Sequence, residues 1–254
     1  MARTIKGYGW IPDLPDHRDL VYSAPRAVTK KLPAKTDLRP QCPPVYDQGE
    51  LGSCTANAIG AAHQFEQLKQ EKVKAFVPSR LFIYYNERAI EGTVDEDSGA
   101  MIRDGIKTIA KQGVCPEPDW AYNLAKYRTK PPKKCYTEAL QNQALTYYAV
   151  RQDLTEMKGC LASGYPFVFG FSVYESFESA TVAKTGKASM PKPKEKQLGG
   201  HAVMAVGYDD AQKRFIVRNS WGTQWGLKGY FTLPYEYLLS QGLAADFWTV
   251  RLVE

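Results

Sequence analysis

The spacing of apolar positions divides the chain into a helical first part and a strand-rich second part. Residues 1–31 are polar and proline-containing, with little periodicity. Three blocks with helical spacing follow, from Cys54 to about Lys69, from Ser79 to about Gly92, and from about Ser98 to Gly113. Ser53 stands where an N-cap is expected for the first of these helices.

Beyond about residue 143 the pattern changes to short runs of β-branched and aromatic residues. The runs QALTYYAV, PFVFGFSV, HAVMAVGYD, RFIVRNSW and GYFTLP are predicted strands, DLTEMKGCLASG is a predicted short helix, and the earlier LPAKTDLRP is strand-like. Because helices come first and strands second, the sequence predicts an α+β fold with two segregated lobes.

Composition and charge narrow the class of protein. The chain has 254 residues, 44% of them hydrophobic, which is enough for one large domain or two lobes sharing a core. No run of about 18 apolar residues predicts a transmembrane helix, and the N-terminus lacks the apolar region of a secretory signal. The net charge of +6 comes largely from lysine clusters at 126–134 and 184–196, whose prolines predict solvated loops rather than a nucleic-acid module.

One of the five cysteines lies in a context that favours reactivity. No CxxC pair occurs, so no zinc site is predicted. Gly-Ser precedes Cys54, which opens a helix, and the positive end of the helix dipole lowers a thiol pKa. The backbone N–H of Cys54 and the side-chain amide of Gln48 are candidate donors to an oxyanion. The alternative is that Cys54 is a small buried hydrophobe.

Histidine is the usual base for a cysteine nucleophile, and the chain has three. His63 follows Cys54 by nine residues, which places it about 180° around the same helix and out of reach. His17 lies in the irregular N-terminal part. His201, which follows two glycines at the start of a predicted strand, is the candidate by elimination, although a structural role is the open alternative.

The stretch VRNSWGTQWGLKGYF supplies a partner for that histidine. Asn219 can accept a hydrogen bond from the second ring nitrogen of His201, and Trp221 can cover the pair and exclude water. The alternative is a β-hairpin with packing tryptophans.

Together, QGELGSC, GGHAVMAVGYDD and VRNSWGTQWGLKGYF resemble the three active-site blocks of papain-like cysteine peptidases, and the likeness runs from about Leu32 to the C-terminus. The resemblance implies an α+β two-lobe fold with the active site in the cleft between a helical left lobe and a β-barrel-like right lobe. Residues 1–31 are then an N-terminal extension, 32–145 the mainly helical left lobe, whose first residues pack on the right lobe, and 146–254 the mainly β right lobe.

The resemblance also implies roles for individual residues. Cys54 is the nucleophile, His201 the general acid and base, Asn219 the orienting residue, and Gln48 completes the oxyanion hole. Ser98 and Gly99 stand in the place of the glycine pair that binds the substrate backbone, and Asp246 stands near the floor of the S2 pocket, where a carboxylate attracts a basic side chain. The residues implied for substrate binding are Ser98, Gly99, Ala100, Met101, Gly200, Ala202, Trp221 and Asp246.

Three features depart from the family pattern. Leu51 stands where the family has a disulfide cysteine, and Thr55 replaces the aromatic residue after the nucleophile. The sequence neither predicts nor excludes a disulfide bond between Cys115 and Cys135. Residues 1–31 are far shorter than the usual pro-domain; we expect them to lie across the cleft and inhibit the enzyme as in a zymogen, the alternative being a surface strap on the right lobe.

The expected function is that of a thiol endopeptidase acting through a thioester acyl-enzyme, with no metal or organic cofactor. Its expected partners are protein or peptide substrates and cystatin-type inhibitors, with no specific nucleic acid and no membrane, and the chain is expected to be a monomer. The alternative is a Cys-His acyltransferase or transglutaminase-like enzyme. Family habit favours export, and a cytoplasmic location remains open.

Overall fold

The computed structural model describes residues 8–71 and 75–254. The helices are α1 (Arg26–Thr29), α2 (Cys54–Lys69), α3 (Arg80–Glu91), α4 (Ile102–Lys111), α5 (Lys133–Ala139), α6 (Leu154–Ala162), α7 (Ala180–Thr185) and α8 (Tyr235–Leu239). The strands are β1 (Trp10–Ile11), β2 (Val21–Tyr22), β3 (Lys35–Asp37), β4 (Ala100–Met101), β5 (Ala144–Val150), β6 (Phe167–Tyr174), β7 (Gln197–Asp209), β8 (Arg214–Arg218), β9 (Tyr230–Pro234) and β10 (Ala244–Val253).

Helices α2 and α3 have the bounds that the apolar spacing predicts. Ser79 caps α3 by accepting a hydrogen bond from the Phe82 N–H at 3.2 Å, and Gly92 ends it in the left-handed conformation at φ +74°. Ser53 occupies the N-cap position of α2, but its side chain makes no capping bond. Its hydroxyl instead lies 2.5 Å from that of Tyr122, so the predicted N-cap position is confirmed while the side chain bonds elsewhere.

Helix α4 begins later than the sequence suggests. Its buried face of Ile102, Ile106 and Ile109 is the predicted one. The expected start near Ser98 is wrong because Ala100 and Met101 are extended and pair in parallel with β1. A contact with a distant part of the chain therefore overrides the local pattern at this boundary.

The second part of the chain forms a mixed sheet in the order β2-β5-β10-β6-β7-β8-β9, with β3 also paired to β7. Within the described residues this path has two ends, so the sheet does not close into a barrel. Its core is rich in phenylalanine; fully buried examples are Phe167, Phe169, Phe171, Phe215 and Phe231. Burying each such side chain contributes roughly 1.5–3 kcal/mol before entropy is counted. Helix α2 packs between this sheet and helices α3 and α4.

The N-terminal segment, defined here as residues 8–22, adds one short strand to each part of the molecule. Strand β1 pairs with β4, while β2 pairs in parallel with β5 at the edge of the large sheet. Just beyond it, the Ala24 N–H donates to Glu156 at the start of α6. The segment therefore bridges the helical side and the sheet.

The sequence suggested that the two basic clusters are loops, but each of them includes part of a short helix. Lys133 and Lys134 begin α5, and Lys184 lies in α7, so each cluster borders a short helix. Among the described residues, no helix combines the length and the apolar character needed to cross a membrane.

Candidate active site

The candidate nucleophile, Cys54, is the first residue of α2 and is 0% exposed. Backbone N–H groups of Ala202 on β7 and of Gly9 in the N-terminal segment act on its sulfur in the direction that favours the thiolate. Burial nevertheless raises the pKa of the Cys54 thiol to about 12, although these donors oppose the shift. The expectation of a lowered thiol pKa is therefore wrong for this structure, because desolvation outweighs the helix dipole.

The candidate base, His201, lies on β7 directly before Ala202, and β7 packs against α2, which Cys54 begins. Its Nε2 lies 2.8 Å from Oδ1 of Asn219. The Trp221 ring stacks on the imidazole, with centroids 4.9 Å apart and planes inclined by 28°. Burial lowers the pKa of His201 to about 4, against the opposing effect of the Asn219 hydrogen bond. Both His201 and Cys54 are therefore neutral near pH 7.

The hydrogen bonds around Asn219 determine which imidazole nitrogen carries the proton. The backbone N–H of Ser220 donates to Asn219 Oδ1 at 2.8 Å, and a backbone N–H can only donate. The Asn219 atom facing His201 is therefore the oxygen, so Nε2 of His201 must be the donor in the 2.8 Å bond. This tautomer leaves Nδ1 of His201 as the proton acceptor.

Gln48 is oriented in the same way. Its Oε1 accepts a hydrogen bond from the Ser220 hydroxyl at 2.6 Å, and its Nε2 donates to the Leu51 carbonyl at 2.9 Å. A side-chain amide nitrogen carries two N–H groups, so one donor remains for an oxyanion. Leu51, which replaces the family's disulfide cysteine, thus still holds Gln48 in place through its backbone. All the cysteines of the chain are free thiols, including Cys115 and Cys135, which lie in side-chain contact.

The N-terminal segment covers these groups. The Tyr8 ring stands edge-on to the His201 imidazole, with centroids 6.1 Å apart. Gly9 lies against Gly52, just before the nucleophile. The Trp10 indole fits against Gly170 and Gly200, where an added Cβ would lie 1.9 Å and 2.7 Å from indole atoms. The sheet thus makes room for Trp10 by having glycine on both of the neighbouring strands β6 and β7.

Several residues expected to bind substrate contact this segment instead. Gly99 has φ +76°, and a Cβ there would lie 2.3 Å from the Gly9 carbonyl oxygen, which accepts a 2.8 Å hydrogen bond from the Ala100 N–H. Other residues expected to bind substrate are engaged elsewhere in the protein. Ala202 is fully buried. The Ser98 hydroxyl bonds within its own loop, to Thr93 and to the Gly99 carbonyl, and the Met101 N–H donates to Glu91.

Asp246 lies at an irregularity of β10 with φ +59°, a strained value for a residue other than glycine. Its Oδ2 accepts hydrogen bonds from Trp10 Nε1 at 2.8 Å and from the Asp13 N–H at 2.9 Å. Burial raises the pKa of Asp246. Burial and then the Asp246 charge raise the pKa of Asp13 to about 7, although Arg103 opposes this.

Sequence reasoning missed two carboxylates near the site. Glu87 on α3 is fully buried and accepts a 2.5 Å hydrogen bond from the Thr55 hydroxyl, next to the nucleophile. Burial raises the pKa of Glu87 well above its usual range. Glu178 accepts a hydrogen bond from the Tyr8 hydroxyl. Neither Glu87 nor Glu178 belongs to a motif. The sequence signal for Glu87 was Thr55, which stands where the family has an aromatic residue and which donates to Glu87. Within the described ranges, no cluster of three metal-ligating side chains occurs.

Comparison with known proteins identifies the family. A family model described as papain family cysteine protease matches residues 32–244. The chain belongs to this family. It is 47% identical over 274 residues to an uncharacterised peptidase C1-like protein of Acanthamoeba polyphaga mimivirus, covering 98% of this chain and 88% of that protein. The chain is therefore a cysteine protease and a hydrolase, as the motifs predicted.

Solved structures of the papain family agree with the fold. The crystal structure of xylellain, a cysteine protease from Xylella fastidiosa, aligns with a TM-score of 0.94 and 47% identity, covering 100% of this chain and 99% of that one. Procathepsin B of Trypanosoma congolense aligns with a TM-score of 0.76 at 17% identity, covering 97% and 86%. The predicted α+β papain-like fold is confirmed, with an open sheet rather than a barrel.

Proposed function

We propose that the chain is a thiol endopeptidase whose nucleophile is Cys54, whose acid and base is His201, and whose orienting residue is Asn219. The hydrogen bond between His201 Nε2 and Asn219 Oδ1 carries this proposal. It fixes the tautomer that leaves Nδ1 to take the thiol proton, and Trp221 shields it from water. Like other papain-family proteases, the enzyme acts on protein substrates.

The chemistry follows from this arrangement. Nδ1 of His201 takes the Cys54 proton, and the thiolate attacks the substrate carbonyl. The oxyanion accepts hydrogen bonds from the remaining N–H of Gln48 and from the Cys54 backbone N–H. The imidazolium of His201 then protonates the leaving amine, and water hydrolyses the thioester with the same imidazole as base.

The N-terminal segment is proposed to inhibit this reaction. Gly9 lies on the nucleophile, and Tyr8 and Trp10 lie on either side of it, so a substrate cannot bind while they remain. The segment also desolvates Cys54 and His201, which favours their neutral forms and opposes formation of the ion pair. Its displacement would expose Asp246, whose carboxylate is proposed to favour a basic side chain at the second position before the scissile bond.

The proposal is tested by hydrolysis of a fluorogenic Phe-Arg dipeptide amide, with and without dithiothreitol. Wild type, Cys54→Ala and a chain lacking residues 1–31 are compared. Thiol-dependent turnover should vanish in Cys54→Ala and rise in the shortened chain. Unchanged kinetics in a shortened chain with a native circular-dichroism spectrum would contradict the inhibition but not the peptidase.

The alternative is acyl transfer to an amine by the same Cys-His pair. Product analysis with an added amine acceptor separates the two, because a peptidase yields mainly the free acid. Two smaller expectations belong to the same proposal: a monomer, which sedimentation tests, and binding of cystatin-type inhibitors, which inhibition assays test.

A further inference from the structure

The N-terminal segment runs across the nucleophile from one side of the scissile bond to the other. His201 must protonate the leaving amine, so the leaving group of a substrate binds on the His201 side. The acyl part binds on the side of β4 and Asp246. Tyr8 stands edge-on to His201, whereas the Trp10 indole bonds to Asp246. The Tyr8 side chain therefore occupies the place of the first side chain after the scissile bond.

The polar end of Tyr8 is hydrogen-bonded at this place. Its hydroxyl donates a hydrogen bond to a carboxylate oxygen of Glu178. Burial and the Glu178 carboxylate both raise the pKa of Tyr8, so the phenol stays protonated and able to donate. The Glu178 carboxylate therefore accepts a hydrogen bond from a side chain whose ring lies beside the His201 imidazole.

Glu178 is held there by its neighbours in sequence. Phe177 is buried and packs edge-on against Trp221, with centroids 5.7 Å apart. Ser179 caps α7 by accepting from the Val182 N–H at 3.3 Å. A carboxylate between two anchored residues is preorganised, so little side-chain entropy is lost when a substrate binds it.

The same side of the site continues into a cavity of about 610 Å³ that Tyr8 does not line. Asp47 and Lys184 both contribute to its walls, together with Trp221 and Trp225. The cavity wall therefore carries an acidic and a basic side chain. The carboxylate of Glu178 is the charge that the Tyr8 side chain actually meets.

We infer that Glu178 determines specificity on the leaving-group side: its carboxylate selects substrates whose first residue after the scissile bond carries a cationic or hydroxyl donor, lysine above all. This inference rests on the proposed peptidase function. A partly exposed carboxylate-to-ammonium pair is expected to change kcat/KM by roughly three- to fivefold.

The test is competition between three internally quenched peptides that are identical except for lysine, norleucine or glutamate after the scissile bond. The full chain is compared with Glu178→Gln, Glu178→Lys and the matched control Glu175→Gln, which alters an exposed carboxylate on the same short turn. Competing substrates meet the same free enzyme, so the fraction of enzyme with a displaced N-terminal segment cancels from the ratio of their rates.

Wild type and Glu175→Gln should prefer lysine to norleucine by roughly three- to fivefold and cleave the glutamate peptide most slowly. Glu178→Gln should bring the lysine-to-norleucine ratio to about one, and Glu178→Lys should place glutamate ahead of lysine. A wild-type ratio near one, or a wild-type ratio retained in both Glu178 variants, would overturn the inference. Cleavage that persists in Cys54→Ala, or no cleavage of any peptide even by a chain lacking residues 1–31, would instead refute the proposed function and the inference with it.

Discussion

Replacing Trp10 by alanine should activate the enzyme. The Trp10 side chain is 8% exposed, fills the space above Gly170 and Gly200, and donates to Asp246. Truncating a buried tryptophan costs about 3–5 kcal/mol in protein cores. Because the segment lies on the surface of a cleft, we take the lower figure of about 3 kcal/mol, which weakens its docking by roughly 150-fold.

The measured gain depends on how much wild-type enzyme already has a displaced segment. Peptide hydrolysis and the rate of Cys54 alkylation by iodoacetamide should both rise, by up to about 150-fold if docking is tight. Leu14→Ala is the control, because Leu14 belongs to the same segment but is 74% exposed, and its rates should match wild type. A natively folded Trp10→Ala protein with wild-type rates in both assays would refute the reasoning.

Four further predictions concern single residues. Burial in the docked segment raises the pKa of Asp13 to about 7, so docking is favoured at acid pH and weakens as the pH rises through about 7. The rate of hydrolysis by wild type should therefore increase by a few-fold relative to that of Asp13→Asn between pH 5 and 8. Asp246→Asn should lower the ratio of kcat/KM for arginine over phenylalanine at the second position before the scissile bond, measured with paired dipeptide amides, by roughly tenfold at most. Because burial raises the pKa of Glu87, its contribution to stability is lost as the pH rises, so the unfolding temperature of Glu87→Gln should gain on wild type in alkaline buffer. Asn219→Ala should lower kcat by roughly 10- to 100-fold without a matching rise in KM, because His201 loses the acceptor that fixes its tautomer.

Local signals were enough to predict most of the elements. Helix α3 shows why, since Ser79 and Gly92 mark its ends chemically and its apolar positions fall on one face. The start of α4 could not be found in this way, because Ala100 is extended only through its pairing with Trp10, 90 positions earlier. Strand β10 was also missed: AADFWTVRLV mixes charged and apolar residues along a strand that has partners on both sides.

At the site, sequence predicted the reactive residue types but not their electrostatics. Motif spacing pointed to Cys54 and His201, which lie on α2 and β7, two elements that pack against each other. The direction of the Cys54 pKa shift depends on burial, to which Gly9 contributes from the far end of the chain. Ser220, which orients both Gln48 and Asn219, acts through hydrogen bonds that no spacing rule encodes.

The direction of the N-terminal segment explains how it can lie on a nucleophile without being cut. In the proposed binding mode, a substrate runs from its acyl part on the Asp246 side to its leaving group on the His201 side. The segment runs the opposite way, from Tyr8 beside His201 to Trp10 beside Asp246. The Gly9 backbone group that acts on the Cys54 sulfur is the N–H, which opposes the rise in the thiol pKa.

The Gly9 carbonyl is turned away and bonded to the Ala100 N–H at 2.8 Å, so no electrophilic carbon of Gly9 faces the thiol. We therefore expect the peptide bonds on either side of Gly9 to stay intact when the reduced enzyme is incubated alone, while an added peptide is cleaved. Intact-mass measurement over the same period tests this. Cleavage at either bond at a rate independent of enzyme concentration would show attack within one molecule, and the argument from chain direction would then be wrong.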